Sequence, residues 1–487
     1  MRLDKLLQNV EVLQSDCAMD TEITDIVFDS RRAAPGTAYV AARRIGANGH
    51  DYLDAAVENG ASVIVAEREV PGAPFVVVPD GNRAMAVMSA NLYGNPAGSM
   101  TVIGITGTKG KSTTAFMVKT ILERAAGCKV GLIGTLGVFC GEEMLESAKN
   151  TTPETPELHR LFARLAALGC THVVMEVSSH SLDIGRVWGI PFASAVFTNL
   201  SQDHLDYHVT MENYLHAKAK LFDMAPAAAV NIDDPASAYL LAHTTAQKLR
   251  FSAAKADGAD LWAERIDHHA STGVEFDAVT AAERCHVRLS FPGGFMVYNA
   301  LSAIACAMTL GIPFRAAAEA VSCTRPVAGR AQTVDAGQDF RVIVDYAHTP
   351  ESVRQMSETA REFTKGRLIS VFGCGGNRDR TKRPRMGEAA AAYADLLVVT
   401  TDNPRFEEPE DIIADILPGI DRDKCPTEVI PDRRTAIRRA IALARTGDTV
   451  LIMGKGHETY QEVRGVRSHF DDCEEVEACL KRGAVHD

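Results

Sequence analysis

A glycine-rich segment that ends in Gly-Lys-Ser follows an apolar run in this 487-residue chain. It reads Gly-Ile-Thr-Gly-Thr-Lys-Gly-Lys-Ser from Gly104 to Ser112, between a predicted strand over 102–105 and a predicted helix over 112–125. In that context backbone N–H groups can wrap phosphates, while Lys111 reaches the β/γ-phosphates and Ser112 holds Mg²⁺. Ile105 stands where the strict pattern has glycine, so the first glycine is displaced by one. The segment predicts a nucleotide-binding α/β domain, and the alternative is a glycine-rich turn without a ligand.

Strand and helix patterns divide the chain into three regions. Residues 1–98 mix short strand signals with a Gly/Asn-rich turn over 46–49, which predicts a small α/β domain. Over 99–327 apolar strands alternate with helices, which predicts a central parallel-sheet domain around the glycine-rich loop. Over 328–487 the pattern predicts a Rossmann-like, doubly wound domain. The predicted fold is therefore α/β with three domains, which suits domains of roughly 100–200 residues each.

Polar clusters follow four apolar runs of the third region. The runs cover 341–345, 368–372, 396–399 and 450–453, and the clusters that end or follow them cover 345–348, 373–378, 402–405 and 454–458. Ligands of open α/β sheets bind beyond the carboxyl ends of the strands. The four clusters are therefore predicted to converge on one binding edge.

Charge and cysteine usage exclude several classes of protein. Lys and Arg number 51 against 63 Asp and Glu, a net charge of −12, which gives no support to a nucleic-acid or anionic-membrane binder. The 11 cysteines include no Cys-x-x-Cys pair and fit reduced thiols. The first residues lack a basic segment before an apolar core, and no apolar run approaches the ~18–20 residues of a membrane span. We expect a cytoplasmic protein without membrane insertion.

Three residues of the central region suggest metal and acid–base chemistry. Glu176 ends an apolar strand and His204 lies in the polar run 203–208, a combination that suits a divalent cation near phosphates. Taken alone, a buried Glu or a capping Asp-His pair is more often structural. Lys218 lies seven residues after Met211, on the apolar face of a predicted helix over 211–222. Burial would favour a neutral, nucleophilic amine, and the alternative is a lysine whose stem lies at the edge of that face.

Basic residues cluster locally in the third region. Arg378 precedes Lys382, Arg383 and Arg385, and Arg405 follows Asp402-Asn403-Pro404. Guanidinium groups pair with carboxylates, and Asp402 can accept from an ammonium, so the combination suits an amino-acid zwitterion. For 382–385 the alternative is a solvated run of charge.

These motifs together resemble the Mur ligase family over essentially the whole chain. The resemblance is carried by the glycine-rich loop, by Tyr-x-x-Ala-Lys at 214–218, by Asp-Asn-Pro-Arg at 402–405 and by segments around 29–31, 48–50, 150–154 and 176–186. It implies a ligase of peptidoglycan synthesis, in the branch that adds meso-diaminopimelate. The implied reaction joins this diamino acid to the D-Glu γ-carboxylate of UDP-N-acetylmuramoyl-L-Ala-D-Glu through an acyl phosphate made with ATP. The implied domains bind UDP, ATP and the amino acid in chain order.

The resemblance also implies roles for individual residues. The catalytic residues would be Lys111, Glu176, His204 and Lys218. The Mg²⁺ ligands would be Ser112, Glu176, His204 and Lys218, the last as a carbamate. ATP would contact Gly107, Thr108, Gly110, Lys111, Ser112, Thr113, Asn299, Arg330, Asp345 and His348. The nucleotide-sugar peptide would contact Ser30, His50, Asn150, Thr151, Thr152, Ser178 and Arg186. Diaminopimelate would contact Arg378, Asp402, Asn403, Pro404, Arg405, Gly454 and Glu458.

The chain departs from the family pattern at three positions. Met296 stands where relatives usually carry Asn, Ala328 replaces the Pro of Pro-Gly-Arg, and Ile184 occupies a position that can carry Gln. The first bears on an adenine contact and the last on a contact with the peptide substrate. None removes a residue that the charge chemistry needs.

Other functions remain alternatives at this stage. A sister ligase that adds lysine, or one that joins folate to glutamate, shares the loop and the lysine, but Arg405, the segment 150–152 and the separate amino-terminal region favour the diaminopimelate branch. A nucleotide-binding scaffold without activity and a simple phosphotransferase are further alternatives. The expected partners are small-molecule substrates only, and the expected state is a monomer.

Overall fold

The computed structural model describes residues 1–267, 273–290 and 292–483. Residue contacts divide the chain into two compact units. The first comprises Met1–Trp262, Val279–Arg284 and Tyr298–Val321, and the second comprises the described parts of Ala263–Ala278, Cys285–Val297 and Ser322–Asp487. The amino-terminal sheet and the central strands between residues 101 and 252 lie in the first unit, and the carboxyl-terminal sheet lies in the second.

The amino-terminal region forms a five-stranded sheet in the order β1-β7-β6-β3-β2, parallel except for β1 against β7. Apolar side chains of its strands, including Val40, Val63 and Val76, pack with Leu6 and Met85 from helices. The elements are α1 (Leu3–Leu6), β1 (Gln14–Asp16), β2 (Asp25–Val27), β3 (Thr37–Val40), β4 (Arg43–Arg44), β5 (Ala47–Asn48), α2 (Leu53–Glu58), β6 (Val63–Ala66), β7 (Phe75–Val77) and α3 (Gly81–Leu92).

The central region begins with a strand and helix that enclose the glycine-rich loop. Its elements are β8 (Thr101–Thr106), α4 (Lys111–Ala125), β9 (Val130–Gly134), β10 (Gly137–Cys140), β11 (Glu143–Glu146), α5 (Thr155–Ala167), β12 (His172–Glu176), α6 (Ser179–Asp183), β13 (Phe192–Phe197), α7 (Leu205–His208), α8 (Met211–Ala219), β14 (Ala227–Asn231), α9 (Ser237–His243), β15 (Gln247–Ser252), β16 (Leu261–Asp267), β17 (Val274–Thr280), β18 (Arg284–Leu289), α10 (Phe295–Thr309) and α11 (Phe314–Val321).

Within the first unit, strands of the central sheet follow the order β11-β10-β9-β12-β8-β13-β14-β15, so β8 lies between β12 and β13. Strands β9, β12, β8, β13, β14 and β15 run parallel, as predicted, while β10 and β11 form an antiparallel edge that the sequence pattern did not reveal. Ile105 of β8 pairs with Glu176 on one side and with Val196 on the other. Because parallel strands share one carboxyl edge, Glu176 and the glycine-rich loop lie at the same edge of the sheet.

The carboxyl-terminal region forms a six-stranded sheet in the order β19-β20-β24-β21-β22-β23, parallel except for β19. The prediction of a parallel sheet flanked by helices is confirmed. The elements are β19 (Gln332–Thr333), β20 (Arg341–Asp345), α12 (Pro350–Phe363), β21 (Leu368–Phe372), α13 (Lys382–Ala391), β22 (Leu396–Val399), α14 (Pro409–Ile416), β23 (Thr427–Val429), α15 (Arg433–Leu443), β24 (Thr449–Met453), β25 (Tyr460–Val463), β26 (Val466–His469) and α16 (Asp472–Gly483).

Local signals explain where the helix after β20 begins. Thr349 caps α12 by accepting from the Ser352 backbone N–H, and the Ser352 hydroxyl accepts from the Thr349 N–H in return. Pro350 follows at the first helical position, where its missing N–H costs nothing. In the part of the chain that the structure describes, no helix has the length and apolar character to cross a bilayer. The division into domains 1–98, 99–327 and 328–487 stays a prediction.

Candidate active site

The glycine-rich loop joins β8 to α4 and takes a conformation that requires its glycines. Gly110 lies at φ +82°, and a Cβ there would clash with Asn299 Oδ1. Thr114 on the first turn of α4 donates to the same Asn299 oxygen at 3.5 Å. The loop and Asn299 are thus packed together, as expected if both line one nucleotide site.

The Nζ atoms of Lys111 and Lys218 donate to the same backbone oxygen. Lys111 Nζ donates to the carbonyls of Gly107 and Thr108 at 2.9 and 3.0 Å. Lys218 Nζ donates to the Gly107 carbonyl at 2.9 Å and lies 4.4 Å from the centre of the Tyr214 ring. The two lysines, 107 residues apart in sequence, therefore meet at the loop that is predicted to bind phosphates.

Lys218 is among the most buried cations of the described chain, with 1% of its surface exposed. Burial, and next the charge of Lys111, hold the pKa of Lys218 well below its ordinary value, while Asp203 opposes the shift. Burial and the charge of Lys111 each disfavour a second positive charge at the loop. The prediction that Lys218 lies on a buried helix face is confirmed, and the lysine at the edge of that face is excluded.

His204 lies beside the two lysines in a strained backbone conformation. Its φ of +52° is in the left-handed region, and its N–H donates to Asp203 Oδ1 at 2.9 Å. The ring packs edge-on against His180 with centroids 4.7 Å apart. Burial lowers the pKa of His204, with further lowering from Lys111 and Lys218, so the neutral imidazole that a metal ligand requires is favoured.

Glu176 is buried at the carboxyl end of β12, where two groups of Thr135 fix its carboxylate. The Thr135 N–H donates to Oε1 at 2.9 Å and the Thr135 hydroxyl to Oε2 at 3.0 Å. That hydroxyl also lies 3.0 Å from Thr151 Oγ1. The carboxylate is thereby linked to the segment predicted to hold the peptide substrate.

The predicted substrate-peptide residues of the first unit gather around Glu176. Thr152 Oγ1 donates to the Glu176 carbonyl at 2.9 Å and accepts from the Ser178 N–H at 3.0 Å. Arg186 donates to the Thr152 carbonyl at 3.2 Å and to Glu154 Oε1 at 2.7 Å. Asn150, at the end of the same segment, is exposed.

Two predicted contacts of the nucleotide-sugar, Ser30 and His50, lie in the amino-terminal region instead. Within the described residues, no hydrogen bond or ion pair joins Ser30 or His50 to Glu176, Thr152 or Arg186. The His50 ring is held locally: Nε2 accepts from the Glu67 N–H at 3.0 Å, so Nδ1 carries the proton and donates to Asn48 Oδ1 at 3.0 Å. At Ile184 the backbone carbonyl accepts from Asn82 of α3 at 2.8 Å, a contact that does not depend on the side chain.

The second unit contributes a separate group of predicted nucleotide residues. Asp345 accepts from the N–H groups of Ala331 and Ala347 at 2.7 and 2.8 Å, and burial raises its pKa. The Arg330 guanidinium lies 4.9 Å from the centre of the Tyr346 ring, and the His348 ring centre lies 4.5 Å from that of Tyr346. Arg330, Asp345 and His348 therefore meet at the carboxyl end of β20.

The predicted amino-acid residues meet where β22 and β24 end. Asn403 Nδ2 donates to Glu458 Oε2 at 2.7 Å. Gly454 lies at φ +119°, and a Cβ there would lie 2.7 Å from Asp402 Oδ2, so a side chain would disturb this carboxylate. Asp402 is buried, which raises its pKa, and its Oδ1 has no hydrogen-bond partner. Lys455 Nζ lies 3.8 Å from this oxygen, too far for a hydrogen bond, so an ammonium group of a ligand would complement it.

Arg405 is held in position by backbone carbonyls. It lies at φ +54°; its N–H donates to the Glu462 carbonyl at 3.0 Å and its Nη1 to the Gly376 carbonyl at 2.7 Å. The Gly376 N–H in turn donates to the Asn403 carbonyl at 2.9 Å. Arg378 lies exposed at the end of the same 373–378 segment. Arg405 is thus fixed beside Asp402 and Asn403, next to Pro404.

The alternative that residues 382–385 form a solvated run of charge is wrong for Arg383. Arg383 is 1% exposed and donates to both oxygens of Glu407, to Asp415 and to the Gly375 carbonyl. Its partners lie 24 and 32 residues away, so the local sequence carries no signal of them. Arg383 is therefore a structural cation that joins α13 to the segment after β22.

Two buried cations were also missed by sequence reasoning. Arg433 and Asp472 form a fully buried pair at 2.7 Å, and Arg433 donates to the carbonyls of Thr401, which follows β22, and of Met453, which ends β24. Lys455 is fully buried next to Asn403 and Glu458. Its Gly-Lys-Gly-His-Glu context indicates a polar cluster, but nothing in that context distinguishes Lys455 from a surface lysine.

Comparison with known proteins gives consistent matches. Residues 105–307 match the family model described as the Mur ligase middle domain, and residues 329–456 match the model described as Mur ligase, glutamate ligase domain. The chain is 44% identical to a UDP-N-acetylmuramoyl-L-alanyl-D-glutamate–2,6-diaminopimelate ligase of Clostridium botulinum, over 94% of this chain and 95% of the relative. It is 45% identical to the protein of the same name from Bacillus licheniformis, over 97% and 98%. A solved structure of a ligase with that name is 31% identical, covers 100% of this chain and 99% of its own, and has a TM-score of 0.71.

Proposed function

Because the chain belongs to the Mur ligase family, we propose that it is an ATP-dependent ligase that adds meso-diaminopimelate to UDP-N-acetylmuramoyl-L-Ala-D-Glu. The bond formed is the amide between an amino group of the diamino acid and the D-Glu γ-carboxylate. The observation that carries the proposal is Arg405, fixed beside an Asp402 oxygen that has no hydrogen-bond partner, in a chain that aligns over 94% and 97% of its length with two diaminopimelate ligases. That pair suits a carboxylate and an ammonium on one substrate.

The first step transfers the γ-phosphoryl group of ATP to the substrate carboxylate. The carboxylate oxygen attacks the γ-phosphorus, the bond to the β-phosphate oxygen breaks, and ADP leaves behind an acyl phosphate. Two anions must approach, so positive charge at the phosphate loop lowers the barrier. Lys111 supplies that charge, and Gly107, Thr108, Gly110, Ser112 and Thr113 supply the loop and its helix start.

A divalent cation fits the residues present near the loop. Within the described residues no three His, Cys, Asp or Glu side chains converge on a metal position, so Ser112, Glu176, His204 and phosphate oxygens would have to share the role. Mg²⁺ held there would neutralise charge on the phosphates. A carbamate on Lys218, formed when the neutral amine adds CO₂ and loses a proton, would supply a further anionic oxygen; the lowered pKa of Lys218 supports this.

The second step is attack of the amino group on the acyl phosphate carbon. The amide bond forms, the bond to phosphate breaks, and the amine loses a proton. Asp402, Asn403 and Glu458, with Gly454, would orient the diamino acid, and Arg405 and Arg378 would pair with its carboxylates. Lysine has no second carboxylate, so Arg405 favours diaminopimelate over lysine.

The remaining assignments follow from the same proposal. Ser30 and His50 would meet the uridine end of the substrate, and Asn150, Thr151, Thr152, Ser178 and Arg186 its peptide end. Asn299, Arg330, Asp345 and His348 would meet ATP. The three regions would act as UDP-, ATP- and amino-acid-binding domains of a cytoplasmic monomer that takes no nucleic acid as a partner.

We expect the purified protein to form the tripeptide product with meso-diaminopimelate and not with L-lysine. Arg405→Ala should raise the KM for diaminopimelate by ~10²-fold, because it removes a charge-assisted pair with a carboxylate of this substrate. The ratio of kcat/KM for diaminopimelate to kcat/KM for lysine should therefore fall. The measurements are phosphate release and product mass with ATP, Mg²⁺ and UDP-N-acetylmuramoyl-L-Ala-D-Glu. Arg439→Ala, which removes an exposed arginine paired with Glu428, is the control and should change no constant more than about twofold.

Preference for lysine would overturn the assignment of substrate. No product with either acceptor would overturn the proposed function.

A further inference from the structure

Lys455 follows the end of β24 and has no exposed surface, although lysine is rarely buried fully. Its Nζ donates to Asn403 Oδ1 and to Glu458 Oε2, each at 3.2 Å, and lies 3.8 Å from Asp402 Oδ1. The ring of Tyr460 covers it, with the centroid 5.4 Å from Nζ. Lys455 therefore lies against three side chains that the proposed function assigns to the diamino acid.

The contacts of Lys455 fix which way the Asn403 amide points. Asn403 Oδ1 accepts from Lys455 Nζ and from the Glu462 N–H at 2.9 Å, and Asn403 Nδ2 donates to Glu458 Oε2. A flipped amide would turn its NH₂ group towards two other donors. Lys455 and the Glu462 N–H thus hold Asn403 as a donor to Glu458.

This arrangement leaves two acceptor oxygens for a ligand. Both hydrogen bonds to Glu458 end on Oε2, and in the described part of the chain Oε1 accepts none. Asp402 Oδ1 is buried without a hydrogen-bond partner. Since buried polar atoms are normally paired, Asp402 Oδ1 points to a donor from outside the protein, and Oε1 of the half-buried Glu458 is accessible to the same donor.

The charge of the buried group favours the same ligand. Asp402, Glu458 and Asp472 are three carboxylates, and among the described residues Lys455 and Arg433 are the cations that interact with them. The formal charge is −1, which one ammonium group would neutralise. Without Lys455 it would be −2, and buried carboxylates in that state take up protons and then donate rather than accept.

We propose that Lys455 is a positioning residue of the amino-acid site, which orients Asn403 and balances Asp402 and Glu458 so that their free oxygens accept the amino group of the incoming diamino acid. This inference rests on the proposed function. It predicts a defect confined to the diamino acid, because none of these residues is assigned to ATP or to the nucleotide-sugar peptide.

The test compares Lys455→Ala and Lys455→Met with the wild-type enzyme. Methionine fills most of the space of the lysine stem, so it keeps the packing while removing the charge. We expect both variants to raise the KM for meso-diaminopimelate by ~30-fold and to leave the KM values for ATP and UDP-N-acetylmuramoyl-L-Ala-D-Glu within about twofold. Lys424→Ala, which removes an exposed lysine paired with Asp421, is the control.

Chemical rescue separates positioning from packing. Ethylammonium added to Lys455→Ala should restore a low KM for diaminopimelate, whereas tetramethylammonium, which cannot donate a hydrogen bond, should not. An unchanged KM in both variants would overturn the proposal, as would a parallel rise of all three KM values without rescue. Loss of cooperative thermal unfolding in both variants would also overturn it, because Lys455 would then serve the core alone. A wild-type enzyme that makes no product would instead overturn the proposed function.

Discussion

Replacing Lys218 by alanine should lower kcat by ~10³-fold, or about 4 kcal/mol at the transition state. Lys218 Nζ lies on the Gly107 carbonyl beside Lys111, it is 1% exposed, and its pKa is held well below the ordinary value by burial first and by Lys111 next. The neutral amine can take up CO₂ and become a carbamate anion. The charge at this position then falls by one unit relative to the amine and by two units relative to an ammonium group. Removal of the amine removes that anion.

The same variant should respond to small carboxylic acids. Acetate or propionate can occupy the space of the lost side chain and supply a carboxylate, so we expect at least ~10-fold recovery of kcat. Steady-state rates with and without acetate measure this, and ¹³C NMR of the wild-type enzyme in ¹³C-bicarbonate should show a carbamate carbon that the variant lacks.

Lys220→Ala is a matched control for Lys218→Ala. Lys220 lies two residues further along, is half exposed, and pairs with Asp183 at 2.7 Å. Its loss should alter kcat by less than about twofold, as is usual for exposed ion pairs. Wild-type turnover by folded Lys218→Ala would contradict the assignment of Lys218 to the site.

Replacing Lys111 by alanine should lower kcat/KM for ATP by at least ~10³-fold. Its ammonium group is held by two carbonyls of the glycine-rich loop, at the start of α4. The phosphoryl group passes between two anions, and removal of this cation leaves their repulsion uncompensated. The KM for diaminopimelate should change little, because Lys111 lies in the unit that does not hold the amino-acid residues.

Lys111→Arg separates the effect of the charge of Lys111 from the effect of its shape. It keeps the charge on a larger, planar group, so an activity between those of alanine and lysine is expected. Lys129→Ala, an exposed lysine whose Nζ donates to the Leu168 carbonyl, is the control and should retain wild-type kcat/KM. If folded Lys111→Ala kept wild-type kcat/KM for ATP, the glycine-rich loop would not be the phosphate site.

The parts of the fold that follow local rules could be predicted from sequence. Apolar runs predicted the bounds of β20, β21 and β22 without error, because a strand that is buried on both faces is a nearly continuous run of apolar residues. The burial of Lys218 followed from its place on the apolar side of a helix. The meeting of the polar clusters followed from the shared carboxyl edge of parallel strands.

Long-range charge pairing could not be predicted in the same way. Arg383 and Lys455 look like surface cations in sequence, since partners such as Asp415 and Asn403 lie 32 and 52 residues away. The antiparallel edge of β10 and β11 and the hairpin of β25 and β26 were missed as well. Only the folded chain shows which charges are removed from water and which carbonyls hold them.

The most direct measurement of the central claim follows oxygen from substrate to phosphate. The substrate is UDP-N-acetylmuramoyl-L-Ala-D-Glu labelled with ¹⁸O in both oxygens of the D-Glu γ-carboxylate. It is incubated with ATP, meso-diaminopimelate and the enzyme, and the masses of the released phosphate and of the tripeptide product are measured by mass spectrometry. An acyl phosphate transfers one ¹⁸O to each phosphate released and leaves one in the new amide. Phosphate without ¹⁸O, or no tripeptide at all, would contradict the account.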